Sequence, residues 1–235
     1  MLSARSSVAW FETVAVHSVL AELPHVRLSA IEEARAERFH DRNDAKAFVA
    51  SRNLLKLLVG SWLHLAPSSV VIEQRCSSCS ATEHGRPVVA NDPSLRISIS
   101  RSKFWIAAGV SPTNIGVDVE GHDSDSTLHR VSKRALSPRE QRHVDDSADP
   151  TRVLRDYWVR KEALIKVGVG SLGQMHRLDI GPHGSDPDRV AERFETWQFT
   201  ERSRHGMSSV AVVDVFAGVE VTSPFKGDEF AFCNS

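Results

Sequence analysis

Several features that would assign a function at once are scarce or absent in this sequence. Three cysteines in 235 residues are too few for the disulfide framework of a small secreted domain. The 29 basic and 30 acidic side chains nearly balance, so no net field favours nucleic acid or an anionic membrane as a partner. No apolar run is long enough to span a bilayer, and the N-terminus has no long apolar segment of the signal-peptide kind. We therefore expect a soluble, reduced, cytoplasmic protein.

Short motifs of several large enzyme classes are missing as well. The sequence contains no glycine-rich phosphate loop of the P-loop or dinucleotide-binding type. It has no G-x-S-x-G pattern of the kind found in many serine hydrolases. Its eleven histidines never fall in the H-E-x-x-H spacing of zinc proteases. The chemistry must therefore be sought in other residues.

The elements predicted in the first part of the chain are mainly helices followed by strands. A capping-box pattern, Ser29 with Glu32 three residues later, predicts the start of a helix. A longer helix with one apolar stripe is predicted from about Asp44 to Leu63. Strands are predicted over residues 8–16, 69–74, 86–90, 95–100 and 104–110.

The second part repeats this order after a turn at residues 111–114. Its elements are a strand over 114–120, a polar mobile loop over 121–127, a helix from Ser137, a helix that starts near Asp149 or Thr151, strands over 193–199 and 208–216, and a loose polar tail. Two parts of comparable length, residues 1–112 and 113–235, thus share one element order. The sequence predicts an α+β protein with two similar halves.

Charged residues interrupt two of these apolar elements. The strand NIGVDVE ends with Asp118 and Glu120, which lie two apart and so point to the same face. Two like charges at the end of a buried strand need something to neutralise them. In the helix YWVRKEALIK, Glu162 and Lys166 are four apart and share a face. By itself, that pair also fits an ordinary solvated Glu–Lys pair on an amphipathic helix.

Together, the two segments resemble the paired signature of the 4′-phosphopantetheinyl transferases. In that family, a strand ending in G-[VI]-D-x-E is followed some forty residues later by W-x-x-K-E-A-x-x-K. Here IGVDVE precedes WVRKEALIK, and Glu162 lies 42 residues after Glu120. The resemblance is to the larger, two-halved class that activates surfactin-synthetase-type systems, rather than the small trimeric class. Weaker agreement covers most of the chain, at RFHDRNDAKAFVASRNLL, HGRPVV, ISISRS and LSPRE.

The resemblance implies a monomer of two pseudo-symmetric halves packed side by side, with the active site in the cleft between them. The N-terminal half, 1–112, would grip the nucleotide of coenzyme A, and the C-terminal half, 113–235, would carry the metal site and the catalytic helix. The implied reaction moves phosphopantetheine from coenzyme A to a serine of an acyl or peptidyl carrier protein. Neither nucleic acid nor a membrane is expected as a partner.

A metal ion would neutralise the acidic residues. The resemblance implies that Asp118, Glu120 and Glu162 bind Mg²⁺, and Mn²⁺ suits the same oxygen ligands. Glu162 is the expected general base. Lys166 would meet the transferring phosphoryl group, and Lys161 would stabilise a phosphate or the acidic cluster.

Coenzyme A is expected to bind four further residues, which match family motifs in the N-terminal half. These are Arg52, Arg86, Ser100 and Arg101. The family usually has histidine at the position of Arg101; arginine is longer and always charged, so it can still bind phosphate with a different geometry. A second interpretation of Arg52 is that it only caps a helix edge.

Two other functions share parts of this pattern. A coenzyme A pyrophosphate hydrolase would use the same carboxylates with water as acceptor. A non-catalytic module that binds coenzyme A or a carrier protein would retain the basic residues, with Arg101 marking a lost activity.

Two weaker patterns stay open. Cys76, Cys79 and His84 invite a zinc site, but a structural zinc normally has four ligands, so a reduced pair of thiols is the favoured interpretation. The basic segment 127–144 is either a docking surface for an acidic carrier helix or an ordinary solvated helix face.

Overall fold

A computed structural model describes residues 8–23, 26–75, 85–181, 196–204, 206–214 and 218–225. Within these ranges it contains six α-helices and nine β-strands. The strands are β1 Val8–Ala15, β2 Ile72–Arg75, β3 Arg86–Val89, β4 Arg96–Arg101, β5 Trp105–Ser111, β6 Ile115–Glu120, β7 Trp197–Arg204, β8 Met207–Asp214 and β9 Glu220–Thr222. The helices are α1 Val16–Glu22, α2 Ala30–Glu37, α3 Arg42–Leu63, α4 Asp125–Ala135, α5 Pro138–Asp145 and α6 Pro150–Lys166.

Most strands belong to two sheets. The first has the order β4-β5-β1-β9, in which β5 is antiparallel to both β4 and β1, while β9 runs parallel to β1. The second has the order β6-β8-β7 and is antiparallel throughout. Strands β2 and β3 form a separate two-stranded ribbon.

The two sheets pack face to face, with helices on their outer faces. In β5, Ile106 and Ala108 point into the apolar cluster under α3, whereas Ala107 points towards the second sheet. In β8, Val212 packs towards α6 and Val213 packs towards the first sheet. Because alternate residues of a strand face opposite sides, each sheet has two buried faces. The described chain is therefore layered helix–sheet–sheet–helix around three apolar clusters.

The prediction of a mixed α and β protein is confirmed. The capping box at Ser29 and Glu32 is present, and Ser137 and Glu140 form a second one at α5. Pseudo-symmetry of the halves and a cleft between them stay predictions. None of the helices in the described residues is long and apolar enough to cross a membrane.

Two local predictions were wrong. The segment 121–127 is not a loop throughout: a 3₁₀ turn covers His122–Ser124, and α4 begins at Asp125. The carboxylate of Asp125 accepts hydrogen bonds of 2.8–3.0 Å from two guanidinium nitrogens of the buried Arg155. These bonds anchor the start of α4. The tail is not wholly irregular either, because β9 pairs with Val8–Trp10 of β1. The predicted boundary at 112/113 falls in the turn between β5 and β6. However, β9, which follows this boundary in the sequence, pairs with β1, which precedes it.

Candidate active site

The candidate site begins where α6 packs directly on β6. A Cβ at Gly116 would lie 2.1 Å from the carbonyl oxygen of Ala163, so only glycine allows this approach. Residues 116, 118 and 120 of β6 share the face turned towards α6. The close packing therefore brings the carboxylates of β6 next to Glu162 and Lys166.

Asp118 is the most buried acid of the group, with 4% of its surface exposed. Its Oδ1 accepts hydrogen bonds from the Ser100 hydroxyl at 2.6 Å and the Lys166 ammonium at 2.7 Å. Lys166 also donates to the carbonyl oxygen of Val117 at 2.8 Å. The other oxygen, Oδ2, is buried and has no hydrogen-bond partner among the described residues. A buried carboxylate oxygen without a partner is costly unless a cation or donor satisfies it.

Glu120 and Glu162 both hold their protons more tightly than ordinary glutamates. Burial raises the pKa of Glu120 to about 7, and the charges of Asp118, Asp123 and Glu162 add to this shift, while a hydrogen bond from Ser124 opposes it. Burial, followed by the charge of Asp118, raises the pKa of Glu162 to about 7, while Lys166 opposes the shift. The three carboxylates therefore share one strongly negative neighbourhood.

This neighbourhood is not a closed metal cage. Across the described ranges, no three His, Cys, Asp or Glu side chains are grouped closely enough to hold an ion on their own. Mg²⁺ usually binds through one or two protein carboxylates together with water and substrate phosphates. A free oxygen on Asp118 beside two carboxyls of raised pKa fits that kind of open site.

Lys161, which is predicted to stabilise a phosphate or the acidic cluster, lies in a different part of the structure. Its side chain is fully buried and forms an ion pair with Glu140 of α5. The ammonium also donates to the carbonyl oxygens of Ala135 at 2.7 Å and Met175 at 3.2 Å. Neighbouring positions on a helix point about 100° apart, so Lys161 and Glu162 face different surroundings. Lys161 ties α6 to α4, α5 and the turn at Leu172–Arg177.

A second charged cluster lies on the other half, around the ring of Phe48 in α3. The guanidinium carbons of Arg35, Arg52 and Arg101 lie 5.7, 5.2 and 5.5 Å from the centroid of that ring. Arg101 also stacks over Phe39 at 5.4 Å. Such contacts are favourable for a cation, but they do not cancel the repulsion among three like charges.

This guanidinium cluster is short of negative charge. Arg52 is 5% exposed, and its Nε and Nη1 are buried without hydrogen-bond partners in the described residues. The carboxylate of Glu32 lies 3.8 Å from Nε of Arg52, but it also forms an ion pair with Lys56 at 2.8 Å. Burial lowers the pKa of both Arg52 and Arg101, and the charge of Arg35 lowers each further. An anion would complete this cluster.

Arg35 was missed by sequence analysis. It lies in α2, one helix before Arg52, and nothing in its immediate sequence marks it. It also lies three residues before the segment 38–55 that resembles the family's early helix pair, so the resemblance did not mark it either. Its role became visible because Phe48 gathers side chains from α2, α3 and β4 at one point.

Comparison with known proteins finds one family model that spans both β6 and α6. A model of the 4′-phosphopantetheinyl transferase superfamily matches residues 114–212, which include Asp118, Glu120 and Glu162. The chain is 25% identical over 180 residues to 4′-phosphopantetheinyl transferase HetI of Nostoc sp., an alignment that covers 74% of this chain and 73% of that protein. Residues 114–212 of this chain are therefore similar to the 4′-phosphopantetheinyl transferase superfamily, and the relatives extend this similarity over a longer part of the chain. The resemblance stated from the two motifs is thereby confirmed.

Other relatives agree with this assignment. An L-aminoadipate-semialdehyde dehydrogenase-phosphopantetheinyl transferase of Mus musculus is 26% identical over 209 residues, covering 77% of this chain and 65% of the mouse protein. A 4′-phosphopantetheinyl transferase of Bacillus subtilis is 26% identical over 144 residues, covering 59% of each chain. The chain thus spans between 59% and 73% of the length of these three relatives.

The remaining predicted site residues are spread around the two clusters. The Ser100 hydroxyl donates a hydrogen bond to Asp118, so this side chain belongs with the acidic residues rather than with the guanidinium cluster. Arg86 starts β3, and its Nη2 would lie 3.9 Å from a Cβ at Gly168, two residues beyond Lys166. Arg86 therefore approaches the C-terminal end of α6. Cys76, Cys79 and His84 lie outside the described residues.

Two further surfaces contain none of the predicted metal or coenzyme residues. A cavity of about 390 Å³ opens between α6 and the β7–β8 hairpin, lined by residues that include Asp156, Arg160 and Ser208. The basic segment forms α4 and α5, whose exposed arginines are Arg130, Arg134, Arg139 and Arg142.

Proposed function

We propose that this protein transfers the 4′-phosphopantetheine group of coenzyme A to a serine hydroxyl of an acyl or peptidyl carrier protein. In this reaction the serine oxygen bonds to the β-phosphorus, the bond from that phosphorus to the bridging oxygen breaks, and adenosine 3′,5′-bisphosphate leaves. The observation that carries the proposal is the juxtaposition of Asp118, Glu120 and Glu162 within the segment that matches the superfamily.

We also propose that Asp118, Glu120 and Glu162 would hold a divalent ion, Mg²⁺ or Mn²⁺. When bound, such an ion neutralises pyrophosphate charge and stabilises the charge that grows on the leaving group. The donor set supports this, because all three side chains offer hard oxygens and one oxygen of Asp118 has no hydrogen-bond partner among the described residues.

Glu162 is proposed as the group that accepts the serine proton, directly or through water. A base works best when its pKa lies near the operating pH, and burial raises the pKa of Glu162 to about 7. Lys166 neutralises Asp118 in this structure, and 29% of its side chain is exposed. It is therefore accessible to a phosphoryl oxygen as well.

The guanidinium cluster is proposed to bind the 3′-phosphate of coenzyme A. Buried, unpaired N–H groups on Arg52 beside Arg35 and Arg101 favour a dianion over neutral ligands. Arginine at position 101 keeps this charge where the family usually has histidine.

The exposed surface of α4 and α5 is proposed as the docking surface for the carrier protein. A carrier protein with an acidic helix would be attracted by the exposed arginines of α4 and α5 (Arg130, Arg134, Arg139, Arg142). We further propose that the enzyme works as a monomer in the cytoplasm.

The proposal is tested by intact-protein mass spectrometry of an apo carrier protein incubated with coenzyme A and Mg²⁺. The wild type should add the mass of one phosphopantetheine group to the carrier. Glu162→Gln should slow this by at least about 100-fold, since a general base contributes that much or more. Glu22→Gln, an exposed glutamate at the end of α1, is the matched control and should behave like the wild type. A panel of apo carriers that all stay unmodified would overturn the proposal.

A further inference from the structure

Strand β4 touches both charged clusters through two successive side chains, Ser100 and Arg101. Ser98 and Ser100 face β6: the Ser98 hydroxyl accepts a hydrogen bond from the Val117 amide at 2.9 Å, and the Ser100 hydroxyl donates to Asp118 at 2.6 Å. The next residue, Arg101, points to the opposite face and stacks over Phe48. One strand end therefore joins the carboxylate that is proposed to bind metal to the cluster that is proposed to bind phosphate.

Each end of this link has buried polar atoms without a hydrogen-bond partner among the described residues. In the part of the chain that the structure describes, these atoms are Oδ2 of Asp118 at one end and two guanidinium nitrogens of Arg52 at the other. An anion between the guanidinium groups would draw Arg101 into a fixed position. A cation at Asp118 would fix the carboxylate to which Ser100 is bonded.

The position of β4 allows the end of this strand to become more ordered when either ligand binds. β4 is an edge strand of its sheet and pairs with β5 on one side. On its other side it meets β6 through serine side chains instead of a backbone ladder. Ordering the end of β4 carries an entropic cost, and whichever ligand binds first bears most of it.

We propose that Ser100 is a positioning residue that couples the two clusters, so that a phosphate held by Arg52 and Arg101 strengthens divalent-metal binding at Asp118. The inference rests on the proposed function and adds regulation of that same site. Coupling of this kind is reciprocal: the metal must strengthen nucleotide binding by the same factor.

The test is calorimetric titration of Mn²⁺ into the full chain, with and without saturating adenosine 3′-monophosphate. This probe supplies a 3′-phosphate but has no 5′-phosphate that could act as a ligand to the metal. We expect the nucleotide to tighten Mn²⁺ binding about fivefold or more. The reverse titration, nucleotide with and without Mn²⁺, should give the same factor. Blank titrations of Mn²⁺ into nucleotide correct for their direct complex.

Variants locate the coupling. Ser100→Ala should weaken Mn²⁺ binding and lose the enhancement, and Ser100→Thr, which keeps the hydroxyl, should restore it. Arg101→Gln should lose the enhancement, because it removes one of the guanidinium groups that hold the phosphate. Ser94→Ala, an exposed serine just before β4 with a local bond to Asp92, is the matched control and should keep the full effect.

Independent binding of the two ligands to the wild type would overturn the coupling and leave the proposed function standing. An enhancement that survives in Ser100→Ala would overturn the role of Ser100. Should Ser100→Ala fail to fold, the wild-type titrations and Arg101→Gln still decide. Failure of either ligand to bind the wild type would instead overturn the proposed sites themselves, together with this inference.

Discussion

The acidic cluster and the guanidinium cluster are both built from like charges, and they relieve repulsion in different ways. Around Asp118, negative charge is reduced because Glu120 and Glu162 have a pKa of about 7 and because Lys166 lies within 2.7 Å. Arginine has no comparable option near neutral pH. The guanidinium cluster relies instead on aromatic faces and on the shared carboxylate of Glu32. The acidic cluster can therefore change its charge by binding or releasing protons, whereas the guanidinium cluster keeps its charge and favours the binding of an anion.

A similar contrast separates the two lysines of α6. Lys161 is fully buried against Glu140, whereas Lys166 remains partly exposed beside Asp118. Their identical chemistry therefore serves different purposes: one holds helices together, and the other balances the charge of the acidic cluster.

Replacing these lysines should give the largest effects. Lys161→Met leaves Glu140 buried without its partner, and we expect the free energy of unfolding to fall by about 3–5 kcal/mol. Lys166→Met should cost roughly 1 kcal/mol or less because its side chain is partly exposed. Urea denaturation of both variants measures this difference. Equal stability losses would show that Lys161 has no special structural role.

Gly116→Ala should disturb the acidic cluster through its backbone. The added methyl would collide with the carbonyl oxygen of Ala163, so α6 must move, at a cost of about 1–3 kcal/mol. Urea denaturation and Mn²⁺ titration should both report the change. Gly173→Ala is the matched control, since no atom lies within 4 Å of its added Cβ. Unchanged metal affinity in Gly116→Ala would contradict the packing argument.

The guanidinium cluster should be tested with the substrate. Arg52→Gln or Arg101→Gln should raise the KM for coenzyme A about tenfold or more, as expected for losing a charge-assisted hydrogen bond. Neither variant should still prefer coenzyme A over its 3′-dephospho form in steady-state kinetics. Arg177→Gln, an exposed arginine elsewhere, serves as the control. A preserved preference would place the 3′-phosphate away from this cluster.

The stability of the metal-free protein should depend on pH through the carboxyl groups of the acidic cluster. Because the folded pKa values of Glu120 and Glu162 lie near 7, above the ordinary 4.5, their contribution to stability is complete below about pH 4.5 and is lost as pH rises through 7. We expect the free energy of unfolding to fall by about 2 kcal/mol across this window. The Glu120→Gln, Glu162→Gln double variant should show a flatter profile. A parallel profile would contradict the raised pKa values.

The sequence predicted the acidic cluster better than the guanidinium cluster for a physical reason. Asp118 with Glu120, and Glu162 with Lys166, lie in two short segments whose spacing fixes which side chains share a face. By contrast, Arg35 meets Arg101 only because three separate elements converge on Phe48. Tertiary packing of this kind leaves no local pattern.

Other differences between sequence and structure follow the same rule. The helices α5 and α6 begin at their predicted caps, since a cap is a local interaction. The start of α4 depends on Arg155, thirty residues away, and β9 depends on β1 across the whole chain. The burial of Lys161 depends on Glu140 in another helix and was likewise not predictable from its own helix.

The most direct test of the account follows the release of adenosine 3′,5′-bisphosphate from coenzyme A, with and without an apo carrier protein. The account predicts release only when the carrier is present, in a one-to-one ratio with modified carrier, and loss of both products in Glu162→Gln. Release at the same rate without a carrier would contradict it, since water would then be the acceptor and the enzyme a hydrolase.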